Sequence, residues 1–426
     1  MFAKLRLFLL LFLLLPLSAQ AALEVRITQG VEGAVPLAIV PFGGEGGGEL
    51  AAVIRANLER SGRFDGLDTS AMPQQPQAAD QVDFARWQET DREYLVVGGI
   101  RPSGSGQVAV RFQLLDVASG RQLVGYSIPA TPATLRRAAH MVSDLIYERL
   151  TGQRGAFDTQ VAYISVTREG QQLRYALQVA DADGHNPQVI FRSSEPVMSP
   201  AWSPDARRLA YVSFENGQSE IFIQNLATGE RQRIAAHEGI NSAPAFSPDG
   251  RQLALTLSRD GQPDIYVMNL ADQSLTRLTN SRSIDTEPVW MPDGRSIVFT
   301  SDRAGRPQLY EVPARGGNAQ RLTFEGTYNA RAAVAADGRR LVMMHGSGRG
   351  YQIGLLDRDT RQVRVLSRGR NDESPSFAPN GSMIIYATTE GGRGILAAVS
   401  DDGRVHQQLV LAEGEVREPA WSPFLD

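Results

Sequence analysis

The chain has 426 residues, of which 42% are hydrophobic and 21% are charged. This length is too great for one ordinary core and this composition is typical of globular chains, so two or three folded domains are predicted. The net charge of −4 at pH 7 argues against nucleic acid or an anionic membrane surface as the main partner, and the lack of cysteine excludes disulfides, thiol nucleophiles and thiolate metal sites.

Residues 1–21 have the features of an export signal. Lys4 and Arg6 make the start positive, and residues 7–17 are almost entirely Leu and Phe. Ala19-Gln20-Ala21 then offers the small residues that a signal peptidase reads, so we expect cleavage after Ala21. The apolar run is short for a bilayer span and lacks a stop-transfer flank, which leaves an uncleaved membrane anchor as the alternative.

The segment 22–34 follows the signal and alternates between apolar and polar residues. Leu23, Val25 and Ile27 alternate with Glu24, Arg26 and Thr28. A short strand at a mature terminus can add to the edge of another sheet, or it can be an ordinary edge strand of its own domain. The pattern supports both interpretations equally.

Residues 35–150 are predicted to form a compact α/β domain. Strands are expected at 35–42, 94–100, 107–116 and 121–128, the last two as a hairpin. Helices are expected at 49–59, at 84–92 and from Thr131-Pro132 to about residue 150, because Thr favours an N-cap and Pro the first helical position. A short linker is expected at 151–158.

The strongest pattern is a repeat in the second half of the chain. A unit of the form Pro-Ala-Phe-Ser-Pro-Asp-Gly recurs with its second Pro, or the Ala in its place, every 43 or 44 residues, at Pro204, Pro248, Pro292, Ala336, Pro379 and Pro423. A period of this length with short strands in each unit indicates propeller blades. The recurring aromatic residue is interpreted as packing between neighbouring blades.

The repeat predicts a six-bladed β-propeller over residues 159–426. The last unit supplies only one strand, at 419–422. Strands at 160–166, 173–180 and 188–191 have no Pro-Asp-Gly opening, so we expect them to complete that blade and close the ring from both ends of the domain. Closure would leave no free sheet edge between the ends of the ring.

Catalytic and ligand motifs have little support. The glycines at 43–48 cannot be written as G-x-G-x-x-G and no P-loop Lys follows them, so a flexible turn is favoured. The five histidines are scattered, and Asp181-Ala182-Asp183-Gly184 lacks the remaining ligands of a calcium loop. No G-x-S-x-G is present, which argues against a serine peptidase. A small ligand bound or processed in the channel is the alternative to a protein-binding role.

Taken together, these features resemble the TolB family, the periplasmic β-propeller component of the Tol-Pal system of Gram-negative bacteria. The likeness covers the whole chain and is closest at Leu23-Glu24-Val25-Arg26-Ile27, at 243–250, at 300–308 and at 419–423. It implies a non-catalytic, monomeric periplasmic protein without a cofactor or membrane insertion. It also implies a role in outer-membrane integrity, envelope constriction at division and colicin import, with other outer-membrane proteins as further possible partners.

The resemblance further implies two binding regions. The propeller face where the inner strands begin would bind the peptidoglycan-associated lipoprotein Pal, and the mature N-terminal segment would bind TolA. The loops on that face contain Glu195, His237, Asn241, Ala243, Asp285, Thr286, Glu287, Tyr328, Asn329, Arg331, Asp372, Glu373, Arg417 and Glu418. The TolA candidates are Leu23, Glu24, Val25, Arg26, Ile27 and Thr28. We expect the segment to switch between docking on its own protein and binding TolA.

Overall fold

The computed structural model describes residues 23–29, 33–348, 350–411 and 413–425. The export signal and its cleavage site lie outside these residues. Within the described part of the chain, no helix combines the length and the apolar character needed to cross a membrane. The chain forms an α/β domain followed by a ring of six β-sheets, which confirms the predicted fold class.

The elements of the α/β domain in chain order are β2 (Val35–Ile39), α1 (Gly47–Arg60), β3 (Phe64–Gly66), α2 (Phe84–Gln88), β4 (Tyr94–Gly104), β5 (Gln107–Asp116), β6 (Gln122–Ala130) and α3 (Leu135–Thr151), with 3₁₀ turns at Thr69–Ala71, Ala79–Gln81 and Pro132–Thr134. The strands form one five-stranded sheet in the order β3-β2-β4-β5-β6. β2 pairs in parallel with β3 and β4, and β4, β5 and β6 are antiparallel.

Helices α1 and α3 pack on one face of this sheet, because each carries an apolar stripe. Ile54 of α1 and Val142 of α3 are fully buried in the shared core. The start of α3 differs from the sequence prediction: a 3₁₀ turn precedes it, closed by Thr131 and Thr134 in a reciprocal capping box. Strand β3 was missed, because three residues are too few to show an alternating pattern.

Blades 1 to 5 of the propeller each contain four consecutive antiparallel strands, and the first of each lines the channel. Blade 1 comprises β10 (Val197–Trp202), β11 (Arg208–Ser213), β12 (Glu220–Asn225) and β13 (Arg231–Ala235). Blade 2 comprises β14 (Asn241–Phe246), β15 (Gln252–Leu257), β16 (Asp264–Asn269) and β17 (Leu275–Arg277). Blade 3 comprises β18 (Asp285–Trp290), β19 (Ser296–Ser301), β20 (Gln308–Pro313) and β21 (Gln320–Arg321). Blade 4 comprises β22 (Tyr328–Val334), β23 (Arg340–Gly346), β24 (Tyr351–Asp357) and β25 (Val363–Val365), and blade 5 comprises β26 (Glu373–Phe377), β27 (Met383–Glu390), β28 (Arg393–Ser400) and β29 (His406–Val410).

Blade 6 joins the two ends of the propeller as the sequence predicted. Its inner strand is β30 (Glu415–Trp421), and it continues with β7 (Gln160–Glu169), β8 (Gln172–Asp181) and β9 (Gln188–Ser193). β30 pairs with β7 antiparallel, with Arg417 opposite Ile164 and Trp421 opposite Val161.

The repeated Pro-Asp-Gly turn has a local chemical cause. Gly250 adopts φ +69 and its N–H donates to the carbonyl of Ser247 at 2.8 Å, while the Asp249 carboxylate accepts from the Ser247 hydroxyl and the Arg251 N–H. The recurring aromatic residue reaches the neighbouring blade: Trp290 Nε1 donates to the carbonyl of Ala245 at 3.1 Å. The turn therefore ends each inner strand and the aromatic residue ties adjacent blades together.

The N-terminal strand β1 (Glu24–Gln29) lies on the propeller, as a fifth strand on the outer edge of blade 5. It pairs antiparallel with β29, and the Leu23 N–H donates to the carbonyl of Gly184 in blade 6. The interpretation as an edge strand of its own domain is therefore wrong. Leu23 and Val25 pack into the apolar cluster that blades 5 and 6 share, and this long-range contact decides where the segment docks.

Candidate functional site

The loops that precede the six inner strands meet at one end of the propeller, which we call the mouth. Antiparallel alternation also brings the loops between the second and third strands to this end. The α/β domain touches the opposite end: Gln153 donates to the carbonyl of Asn380 at 2.5 Å, and Asn380 donates to that of Arg154, in the turn between β26 and β27. The mouth is therefore not covered by the α/β domain.

Four of the candidate residues are buried at the start of an inner strand and hold their loops from inside: Asn241, Asp285, Asn329 and Asp372. Asp285 accepts two hydrogen bonds from Arg303, at 2.9 and 2.7 Å. Asp372 accepts from the Gly369 N–H at 3.0 Å and from two hydroxyls, those of Ser367 and Thr388. These side chains shape the mouth but are not part of its accessible surface.

The exposed side chains of the mouth belong to residues that lie just before these buried ones, and the sequence analysis did not identify them. Ile240 and Ile284 stand one position before Asn241 and Asp285, and Phe324 lies in the corresponding loop of blade 4. Between 45% and 61% of each of the three side chains is exposed. Tyr351 is also exposed and meets Tyr328 edge to face at 4.9 Å. Blades 2 to 4 thus carry an arc of apolar side chains on the mouth, which we call the apolar arc: Ile240, Ile284, Phe324, Tyr328 and Tyr351. Such exposed apolar groups are typical of protein interaction sites.

Several remaining candidates are spread around the rim of the mouth. Glu195, Glu373 and Arg417 are exposed, and Arg417 pairs with Glu415 at 2.9 Å. His237 is half-buried, and burial lowers its pKa below 6.5. Thr286 is half-buried beside Thr256, with 3.4 Å between their hydroxyl oxygens. The rim therefore mixes charged and uncharged polar groups around the apolar arc.

Six equivalent residues, one in each blade, face the channel in a left-handed conformation: Ser199, Ala243, Glu287, Arg331, Ser374 and Glu418, with φ between +48 and +55. Each lies in a β-bulge, where the register between the inner and second strands shifts. A non-glycine residue rarely adopts this conformation, and such strain persists only where the surrounding fold holds it. The bulge turns these side chains into the channel.

Arg331 lies between two carboxylates of the channel and pairs with both. Its guanidinium donates to both carboxylate oxygens of Glu418, at 2.7 and 3.3 Å, and lies 3.5 Å from Glu287 on its other side. Glu287 also accepts from the Arg331 N–H at 3.0 Å, and Glu418 from the Ser199 N–H at 3.0 Å. Burial opposes the charge of Arg331, yet Glu418 and Glu287 raise its pKa overall. The two carboxylates of this channel are therefore committed to one guanidinium.

The TolA candidates lie on β1 or, in the case of Leu23, directly before it, and the structure describes the side chains of four of them. Leu23 is buried and Val25 is half-buried, whereas Glu24 and Arg26 are exposed and pair at 2.8 Å. Of Ile27 and Thr28 only the backbone is described: Ile27 pairs with Gln407 of β29, and Thr28 lies at the register shift that follows. The segment is thus held by its apolar face and by strand pairing, with charges outward.

A second polar cluster, between the two domains, was not expected from the scattered histidines. The Asp183 carboxylate in blade 6 pairs with Arg136 of α3, whose guanidinium also lies 2.8 Å from His185 Nδ1. His140 Nε2 is 3.6 Å from Asp183, and its Nδ1 accepts from Asn57 at 2.9 Å. Burial lowers the pKa of His140 to about 4.

This interdomain cluster is better suited to holding the domains together than to holding a metal. His140, Asp181 and Asp183 approach closely enough to share an ion. However, the Arg136 guanidinium occupies the same Asp183 carboxylate and would repel a cation placed there. The cluster instead links α3 to the turn on which Leu23 is anchored.

Comparison with known proteins gives one consistent family. A family model described as the TolB amino-terminal domain matches residues 23–123, and one described as the TolB beta propeller domain matches residues 147–425. The chain is 70% identical to the Tol-Pal system protein TolB of Thioalkalivibrio sulfidiphilus over 424 residues, covering 98% of both chains. It is 63% identical to that of Methylococcus capsulatus, covering 97% of both. The crystal structure of TolB from Acinetobacter baumannii superimposes with a TM-score of 0.89 at 41% identity, covering 94% of this chain and all of that one.

Proposed function

This chain belongs to the TolB family of Tol-Pal system proteins, and from that premise we propose that the mouth of its propeller binds the peptidoglycan-associated lipoprotein Pal. The observation that carries this proposal is the apolar arc on blades 2 to 4. A surface of exposed Ile, Phe and Tyr next to polar loops has the composition of a protein-binding site. Because the α/β domain lies at the other end, a partner has unobstructed access.

The same premise leads us to infer that the N-terminal segment binds TolA. β1 is the fifth strand of blade 5, whereas every other blade is complete with four. Its release would therefore break only the pairing with β29 and the contacts of Leu23 and Val25, and would leave an intact blade. This arrangement supports an exchange of residues 22–33 between the docked position and TolA.

These two contacts would make the protein a non-catalytic link in the periplasm between an inner-membrane complex and the outer membrane. The described residues support a binding role over catalysis, because the carboxylates in the channel are neutralised by Arg331 and the polar groups at the mouth hold loops. The role would serve outer-membrane integrity and envelope invagination during division, and the same surfaces would be open to colicins.

The mouth proposal is tested by pull-down and titration of purified lipoprotein with point variants. Ile284→Asp and Phe324→Asp should each weaken binding by about tenfold or more, because each places a charge in an apolar contact. Val365→Asp is the matched control, since Val365 is similarly exposed but lies on the outer strand β25. Equal affinity of all three variants would overturn the proposal. Glu287 is a poorer target, because it also pairs with Arg331.

The TolA inference is tested by deleting residues 22–33. The truncated protein should lose TolA binding and keep, or increase, its affinity for the lipoprotein. Loss of both activities in a folded protein would show that the segment is only a structural strand.

A further inference from the structure

Strand β6 (Gln122–Ala130) is the open edge of the α/β sheet. It pairs with β5 on one side, and no strand of the described chain pairs with its other side. Its nine residues extend over about 30 Å at the usual rise of a strand. None of them is charged, although natural proteins usually protect such an edge with charges or Pro, because an unprotected edge recruits another strand. Pro129 has no N–H and Arg149 of α3 donates to the Leu123 carbonyl at 3.3 Å, so the part of the edge with free main-chain groups is 124–128.

The other outward-facing edges follow that rule. In the described residues, the outer strands of blades 1 to 4 and 6 and the opposite edge β3 each contain a charged residue: Arg231 and Arg233 in β13, Arg277 in β17, Arg321 in β21, Arg364 in β25, Arg192 in β9 and Asp65 in β3. The exception is β29, which has no Asp, Glu, Lys or Arg, and β29 is the outer strand that β1 covers. Among the described residues, the one other outer strand without such a charge therefore has a strand added to it.

The surface beside β6 shows what kind of strand would fit. A groove of about 530 Å³ lies on the sheet face away from α1 and α3, and Arg101 and Arg111 line it without any Asp or Glu. Among the described residues, neither guanidinium has an ion pair or a hydrogen bond. Gly99 and Gly125 have no side chains, so the sheet surface is shallow at these positions and side chains of an added strand could lie over it. In a chain of net charge −4, an unpaired cationic groove is complementary to an acidic segment.

We propose that β6 accepts an extended, acidic segment of a partner protein as a sixth strand of the α/β sheet. Main-chain hydrogen bonds to β6 would provide affinity, alternate carboxylates would reach toward Arg111 on β5, and Arg101 on β4 would add positive charge to the same groove. A second copy of this chain is disfavoured, because pairing two β6 strands would bring the same Arg residues together. The site lies away from the mouth and does not depend on the proposed lipoprotein contact.

The test uses the full mature protein and a blocked nine-residue peptide that alternates Glu with Thr or Val, together with a matched peptide carrying Lys for Glu. The Glu peptide should bind in a fluorescence anisotropy titration and slow amide exchange within residues 122–130, and the Lys peptide should do neither. Arg111→Glu should weaken binding of the Glu peptide by about tenfold, equivalent to 1.4 kcal/mol. Arg315→Glu, an exposed Arg in a turn of blade 3, is the control and should bind like the unaltered protein.

Three results would overturn the proposal. They are no binding of the Glu peptide, equal binding of the two peptides, and protection that appears outside residues 122–130. Concentration-dependent protection of 122–130 without peptide would show that a second copy occupies the edge instead. Because Arg111 is exposed and outside the core, its variant should keep its melting temperature, and this measurement separates lost binding from misfolding.

Discussion

Replacing Arg331 with Met removes the one cation that separates Glu287 from Glu418 in the channel. Between 15% and 27% of each of the three side chains is exposed, so the cluster is neither a surface pair nor fully buried. Exposed pairs contribute about 0–1 kcal/mol, whereas removing one partner of a buried pair costs about 3–5 kcal/mol. We expect Arg331→Met to cost about 2 kcal/mol, which for a propeller of this size lowers the melting temperature by about 4 °C.

The loss should depend on pH. Burial alone would raise the pKa of Glu418, but Arg331 holds it below 4.5. The stabilisation from the charged carboxylate is therefore complete above the unfolded pKa of about 4.5 and is lost as the pH falls through the lower native value. In Arg331→Met the effect of burial on the pKa of Glu418 is opposed only by the Ser199 N–H and by Arg417, so Glu418 takes up a proton more easily. The gap in melting temperature between the two proteins should consequently narrow from pH 7 to pH 4.

Calorimetry or circular dichroism melting at several pH values measures this directly. Adding Glu418→Gln to Arg331→Met should recover part of the loss at pH 7, because an amide still accepts from the Ser199 N–H and carries no charge. The reasoning is refuted if Arg331→Met has the same melting temperature as the unaltered protein at pH 7. It is also refuted if the difference in melting temperature is the same at pH 4 and pH 7.

Three further predictions concern other parts of the molecule. Leu23→Asp should free β1, and amide exchange of residues 24–29 should rise sharply while the melting temperature of the propeller changes little; unchanged exchange would show that Leu23 is not the anchor. Asp285→Ala should lower stability by about 2 kcal/mol through loss of the Arg303 pair, and protease cleavage within residues 279–285 would report the loosened loop. His140 has a native pKa of about 4 against 6.5 unfolded, so its contribution to stability falls by about 3 kcal/mol between pH 6.5 and 4. His140→Gln should flatten that part of the stability profile, and an unchanged slope would contradict the assigned pKa.

The propeller could be predicted from the sequence because its signals are local and repeated. Each Pro-Asp-Gly turn determines its own hairpin, and a regular period requires similar blades. The closing blade also followed from the sequence, since the terminal strand at 419–422 had no partners of its own unit and the strands after residue 159 had no opening turn.

The details of the mouth could not be predicted, because an acidic side chain is buried there while the apolar side chain next to it is exposed, which is the opposite of the usual pattern. Asp285 is buried because Arg303, distant in the loop between β19 and β20, reaches back to it, while Ile284 next to it is exposed. The signal that could have revealed the exposed position is the recurrence of Ile240 and Ile284 at the same place in an otherwise polar loop.

Long-range contacts account for the other differences between the sequence predictions and the structure. The alternation in residues 23–28 predicts a strand but does not contain the identity of its partner, which is β29 nearly the whole chain away. Likewise, His140 and His185 meet at Asp183 only because α3 packs against blade 6, and no sequence spacing encodes that contact.

The central claim is that the mouth of the propeller is a docking platform for another protein of the Tol-Pal system. Its most direct test is hydrogen–deuterium exchange of the mature protein with and without the purified periplasmic domain of the lipoprotein. The account predicts new protection in the loops at 237–243, 281–287 and 324–331, with the turns at the opposite end unchanged. Protection confined to the α/β domain or to those opposite turns would contradict it.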